Sequence, residues 1–279
     1  MKRDNGGMSG TPWVSDLVLI GGGHAHVHVI KMLGMPPLRS VVEENGIRCT
    51  LIAKDVYTPY SGMLPGLVAN HYTAEEMHID LNRLCRLSHV RLIHASATGI
   101  TYQPGGGGTV TCDDGRPPIR YDALSIDIGS APSGFSSHKT MDVTPVKPIS
   151  EFASRFRELK NRLQETAKSY TKERPFTLLV VGGGAGGIEL ALSAQYSLAQ
   201  ILENSGGNKN LLKVVLATRG KGFLESHNPK VRAIFQRIFA DRGIEVRFEA
   251  EAVGVEASPQ NSTTTHGHVN ENVENAPMS

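Results

Sequence analysis

Cysteine is nearly missing from this chain of 279 residues. The three present, Cys49, Cys85 and Cys112, form no C-x-x-C or C-x-x-x-x-C pair. That excludes a disulfide framework, a local redox dithiol and a zinc knuckle, and leaves them as small apolar residues. A surplus of one charge sign is missing too. The 29 Lys and Arg are set against 27 Asp and Glu, without the clustered basic excess of a nucleic-acid binder. No apolar run reaches the length of a membrane span, and the nearest, 176–194, is interrupted by five glycines and Glu189. The first residues lack both the apolar core of a secretory signal and the Arg/Ser-rich character of a transit peptide. A cytoplasmic location is therefore the expectation.

What remains is a composition of 39% hydrophobic and 20% charged residues, which fits a globular protein. At roughly 150 residues per domain, the length predicts two domains. Glycine is in excess, at 30 residues without a collagen period, which points to tight turns or to backbone brought close to a ligand.

The apolar run Asp16 to Ile20 ends at Gly21-Gly22-Gly23 and reads as a buried parallel strand. A helix follows from His24 to Leu33, ended by Gly34 and Pro36-Pro37. Ile47 to Ala53 reads as a second strand, and Tyr57 to Gly66 (YTPYSGMLPG) as a turn-rich loop. Ala74 to Leu87 has helical spacing through Met77, Leu81, Leu84 and Leu87. Val90–His94, Gly99–Tyr102 and Thr109–Cys112 read as short strands of a small meander, and Tyr121 to Ile128 as a strand running into Gly129. Residues 131–148 read as a linker. An amphipathic helix then carries Ile149, Phe152, Phe156, Leu159 and Leu163. From Phe176 the opening pattern repeats: apolar strand, three glycines, helix. Leu211–Ala217 and Ile244–Ala250 read as strands, and Asn228–Asp241 as a helix. The tail 257–279 holds no Leu, Ile, Phe, Tyr or Trp and is expected to be disordered, as are residues 1–15.

The repeated pattern carries the chemistry. A G-x-G-x-x-G turn between a strand and a helix uses its first glycine for the tight turn and its second for close approach to a pyrophosphate. The third lets the helix pack on the strand, and the helix N-terminus attracts the anion. The second copy is complete, with Gly182, Gly184 and Gly187. The first, Gly21-Gly22-Gly23-His24-Ala25-His26, has His26 in the third place. Two copies 161 residues apart predict a doubly wound α/β chain with two Rossmann-like folds, spanning 16–130 and 149–256. Two such folds suggest a bound flavin and a diffusing nicotinamide. The second strand of the first fold ends Ala53-Lys54-Asp55, and that of the second ends Ala217-Thr218-Arg219. Arg219 suits a 2′-phosphate and favours NADP over NAD, or else is an ordinary exposed cation. His24, His26 and His28 share no helical face as a trio and lack a completing carboxylate or thiol, so no metal site is expected.

The segments LVLIGGGHAHVHVIKMLG, TLIAKDVYTPYSGMLPGLVANHYTAEEMHIDLNRLC, YDALSIDIGS and VKPI resemble the pyridine nucleotide-disulfide oxidoreductase superfamily. More narrowly, they resemble the flavoprotein branch found beside or fused to selenide, water dikinase. The resemblance implies FAD in the first fold and NAD(P)H in the second. It puts Gly21, Gly22, Gly23 and His26 at the FAD pyrophosphate, Ala53 and Lys54 near the adenosine ribose, and Ala97 near the adenine. The Tyr57–Pro65 loop falls toward the flavin, and Gly129 counts among the cofactor-binding residues. Gly182, Gly184 and Gly187 fall at the NAD(P) pyrophosphate. Glu189 is placed near the nicotinamide, unless it is simply an acid favoured by the helix dipole. It also implies a returning half of the flavin domain, with a Gly-Asp dipeptide. The chain leaves the pattern near Val255 and has no Gly-Asp, so an incomplete first domain is expected. The expected activity is hydride transfer from NAD(P)H to FAD and on to a quinone or small oxidant. The alternatives are a weak nucleotide-binding or interaction module linked to selenophosphate synthesis, and a flavin-free NAD(P)-binding protein.

Overall fold

Val18, Leu19 and Ile20 lie almost wholly out of solvent in the middle of a parallel sheet, and the chain's first unit is built around them. The computed structural model describes residues 14–130 and 143–254. In chain order the elements are β1 (Ser15–Ile20), α1 (His24–Leu33), α2 (Leu38–Glu44), β2 (Ile47–Ala53), β3 (Tyr57–Pro59), α3 (Leu64–Val68), β4 (His78–Asp80), α4 (Leu81–Leu87), β5 (Arg91–His94), β6 (Ala97–Tyr102), β7 (Gly108–Cys112), β8 (Ile119–Tyr121), β9 (Ala123–Ile126), α5 (Ile149–Thr166), β10 (Phe176–Val181), α6 (Ala185–Asn204), β11 (Leu212–Ala217), α7 (Pro229–Asp241) and β12 (Glu245–Arg247).

The first unit holds the described residues up to Tyr60 and from His78 to Ser130. Its four-stranded parallel sheet has the order β5-β2-β1-β9. Side chains alternate across that sheet, as the two-residue period of a strand requires. Val18, Ile20, Ile52 and Ile93 meet Val110, Ile119 and Tyr121 of the antiparallel meander β6-β7-β8. Leu19, Cys49, Leu51 and Ala53 face the other way, onto Ile30 of α1 and Leu81 and Cys85 of α4. The parallel order brings the carboxyl ends of β1 and β2 side by side, where open α/β sheets bind ligands.

The second unit is a parallel sheet β10-β11-β12 with the long helix α6 serving two cores. Ile188 and Ala191 pack with Val180, Val214, Leu216 and Phe239 of α7. Ala194, Leu198 and Leu202 pack with Phe152, Phe156 and Leu163 of α5, and with Leu64, Val68 and Met77.

The structure departs from the sequence expectations at several places. The loop expected over Tyr57–Gly66 contains β3 and the start of α3, because Tyr57 to Pro59 pair with β4 and Leu64 and Val68 are buried. The helix expected over Ala74–Leu87 is split. His78–Asp80 is drawn into that ribbon, and only α4 is helical, capped by the Asp80 carboxylate accepting from the Arg83 N–H. The single strand expected over Tyr121–Ile128 is two, β8 and β9, belonging to different sheets. The last strand is shorter than Ile244–Ala250, and α2 was not foreseen. Residues 61–77 group with the second unit. Residues 1–13, most of the expected linker (131–142) and the tail from 255 lie outside the described residues. No described helix is long and apolar enough to cross a membrane.

Thr50, fully buried in β2, has an Oγ1 with no hydrogen-bond partner among the described residues. A buried hydroxyl left unpaired carries its desolvation penalty. Thr50→Val is therefore expected to raise the unfolding free energy by about 1 kcal/mol, read from urea melts. A loss of stability would show that the hydroxyl is satisfied.

Candidate functional site

Both glycine turns sit where a buried strand hands over to a helix, and each has one glycine where backbone lies too close for a Cβ, Gly21 in the first and Gly187 in the second. At the first, Gly21 has φ +93° and its N–H donates to the Ile52 carbonyl at 2.8 Å. A Cβ at Gly21 would overlap the carbonyl oxygen of Asp127, and one at Gly22 would overlap Leu81. At the second, Gly182 has φ +118° and its N–H donates to the Ala217 carbonyl at 2.8 Å. A Cβ at Gly183 would press on the Thr218 side chain, and one at Gly187 would overlap the Gly182 carbonyl oxygen. Gly187 thus does the work expected of the third glycine, letting α6 close onto the turn.

The third place of the first motif is solved differently. His26 is 2% exposed. Its Nδ1 hydrogen-bonds the Gly21 carbonyl at 2.7 Å and its Nε2 the Ser125 hydroxyl of β9 at 2.9 Å. The ring is committed inside the protein as a brace beneath the turn, so what His26 presents at the helix mouth is its backbone N–H.

The two mouths differ in what fills them. Neither α1 nor α6 has a side-chain cap from its own N-cap residue, Gly23 or Gly184. A Cβ at Gly184 would meet nothing within 4 Å. The same atom at Gly23 would fall on the Asp127 carboxylate, whose Oδ2 accepts from the His26 N–H at 3.2 Å. The second mouth is open, and the first already holds a carboxylate of the protein's own. Sequence reasoning singled out Gly129 and passed over Asp127. The available signal was an acidic residue at the carboxyl end of an apolar strand.

Of the remaining candidates, Ala53 is buried at the end of β2 near Gly22, and Lys54 is exposed beyond it. Ala97 opens β6 and packs with the meander-side core. Gly129 is exposed with φ +75°. Tyr60, in the YTPY segment, stacks on His24 of α1 with ring centroids 4.6 Å apart, bringing part of that loop to the first turn. Glu189 is exposed early in α6. Arg219 and Lys221, just after β11, are 76% and 86% exposed in long pairings to Glu251 (3.5 Å) and Glu249 (3.9 Å). Such exposed pairs are weak, so a phosphate can recruit both cations. The described residues hold no cluster of three or more metal-ligating side chains.

The thiols are free. Burial pushes Cys49 and Cys85 up to about 11, and Cys112, less enclosed, is raised as well, by its own burial first and then by Asp114. A raised value means that the reactive thiolate appears only at alkaline pH.

A family model described as "Pyridine nucleotide-disulphide oxidoreductase" matches residues 15–276. No curated protein matches the chain. Among solved structures, the NDH2 of Plasmodium falciparum in complex with NADH aligns with a TM-score of 0.67 at 16% identity, over 90% of this chain and 52% of that one. The sulfide:quinone oxidoreductase of Aquifex aeolicus aligns at 0.65 and 18%, over 92% and 57%. The reductase–putidaredoxin covalent complex aligns at 0.60 and 20%, over 88% and 52%. At these identities the likeness is one of fold, and the chain spans about half the length of the structures it matches.

Two expectations follow. Gly187→Ala should destabilise the chain by about 2 kcal/mol through backbone overlap, whereas Gly184→Ala should cost under about 1 kcal/mol. Urea melts of the pair check this, and equal losses would refute the different roles given to the two glycines. At about pH 8 a thiol reagent should modify Cys112 first and reach Cys49 and Cys85 only on unfolding or toward pH 11.

Proposed function

The chain belongs to the pyridine nucleotide-disulphide oxidoreductase family, and from that premise we propose that it passes hydride from NAD(P)H to FAD and electrons on to a small acceptor. FAD and a nicotinamide dinucleotide are the cofactors of that family, and the flavin supplies the redox chemistry when bound. The chain's own task is to hold and orient. Gly21, Gly22 and Gly23 take the flavin pyrophosphate against α1, with Ala53 and Lys54 toward its ribose and Ala97 toward its adenine. Gly182, Gly184 and Gly187 take the nicotinamide dinucleotide against α6. Glu189 faces the nicotinamide end, and Arg219 with Lys221 receives a 2′-phosphate, which favours NADPH over NADH.

The observation that carries this reading is the open mouth of α6. A helix N-terminus with no side-chain cap stands beside a turn closed by Gly187 against the Gly182 carbonyl, with free space at Gly184. The three cysteines are free, and the acceptor in this reading is a quinone or a small oxidant. One structure of the same fold is itself named for a quinone. The GGGHAHV and YTPYSGMLPG segments support the narrower kinship with flavoproteins accompanying selenide, water dikinase. A second reading, a nucleotide-binding module without flavin, draws on the Asp127 carboxylate at the first turn.

Anaerobic addition of NADPH to the FAD-loaded chain should bleach the visible flavin band. Gly184→Val should abolish the bleaching while flavin stays bound, and Arg219→Ala should weaken NADPH by about tenfold with little effect on NADH. Bleaching that survives Gly184→Val would remove the second turn from the reaction. A chain that FAD cannot colour would leave the module.

A further inference from the structure

We propose that Asp127 is the selectivity residue of the first dinucleotide turn: its carboxylate holds the anion seat at the mouth of α1 and must leave before a phosphate can enter. The proposal rests on the reading of that turn as a flavin site, and it adds a residue that neither the motif nor the cofactor assignment includes.

The molecule holds its own comparison. The turns Gly21-Gly22-Gly23 and Gly182-Gly183-Gly184 have the same build. The first glycine of each has a positive φ and donates to the carbonyl of the neighbouring strand. The last N-caps a helix from an extended conformation. At Gly184 the Cβ direction is open space, and at Gly23 it ends on the Asp127 carboxylate. At the helix mouth the difference is one side chain, which follows the end of β9.

That placement is firm. The Asp127 N–H donates to the Ile20 carbonyl at 2.8 Å, and its own carbonyl lies against Gly21. Two residues earlier Ser125 holds the His26 ring. The end of β9 therefore grips His26 twice, at its ring and at its backbone N–H. With the main chain pinned on both sides, the carboxylate leaves by turning about its own side-chain bonds while the glycine turn keeps its shape.

The chemistry sets carboxylate against phosphate. A backbone N–H at a helix N-terminus serves one acceptor well, and a carboxylate and a pyrophosphate are both anionic acceptors. Held together there they repel each other, and a rotated carboxylate still raises the local negative potential. The first turn is thereby biased against phosphate ligands that bind loosely. It admits those whose remaining contacts outweigh the displaced hydrogen bond, as a whole FAD has and free pyrophosphate or ADP lacks. The second turn, with no such carboxylate, carries no such bias.

The test measures binding to the intact chain by titration calorimetry, with FAD, ADP and riboflavin as probes. Asp127→Asn keeps the shape and removes the charge. It should tighten FAD and ADP by about tenfold and leave riboflavin, which has no phosphate, unchanged. Asp127→Ala should act in the same direction. Glu44→Gln, which removes an equal charge from exposed α2, should do nothing. Melting curves verify that each variant folds. If wild type binds FAD and the Asp127 variants bind it equally or more weakly, the carboxylate is only a helix cap and the proposal falls while the flavin reading stands. If no variant binds FAD or ADP although NADPH still binds, the flavin reading of the first turn falls with it.

Discussion

The constraint on which both candidate sites depend is the near-contact of backbone with backbone where a parallel strand becomes a helix. Gly21 presses on the main chain of Asp127 and Gly187 on that of Gly182, with no space for a methyl group in either place. Everything else at the turns follows from this closeness. The neighbouring strand supplies the carbonyl that fixes the first glycine, the helix starts after three intervening residues, and its first N–H groups have no carbonyl partner within the helix. A side chain at these positions would push the helix from the sheet and take away the cradle.

The two units meet the same constraint with different parts. In the second, Gly187 permits the contact by having no side chain. In the first, a histidine stands at that position and is turned inward, its two ring nitrogens spent on Gly21 and Ser125. An imidazole that bridges the turn to β9 exchanges the free approach of glycine for two hydrogen bonds, and it ties the turn to the strand that carries Asp127. The imperfect motif and the carboxylate at the mouth of α1 thus belong to one arrangement.

Much of this was legible in the sequence. The apolar runs Leu17–Ile20 and Leu178–Val181 followed by three glycines specify buried strand, turn and helix at short range. So do the stripe Phe152, Phe156 and Leu163 and the helical pattern of Asn228–Asp241. What escaped was long-range. The pairing of Tyr57–Pro59 with His78–Asp80 depends on a partner some twenty residues away, and it overrode the helical spacing of Ala74–Leu87. Asp127 reaches a helix mouth more than a hundred residues back in the chain, which no local pattern encodes. Gly129 is visible as a glycine that ends a strand, whereas nothing local marks Asp127, two residues before it, as the side chain at that mouth.

The central claim is that one chain holds two dinucleotide sites of different character, one at each turn. Equilibrium dialysis of FAD and NADP+, a pair that cannot exchange hydride, each alone and both together, tests this most directly. The expected result is one FAD and one NADP+ bound per chain, neither displacing the other. A single dinucleotide bound per chain, with FAD and NADP+ in competition for it, would contradict the account.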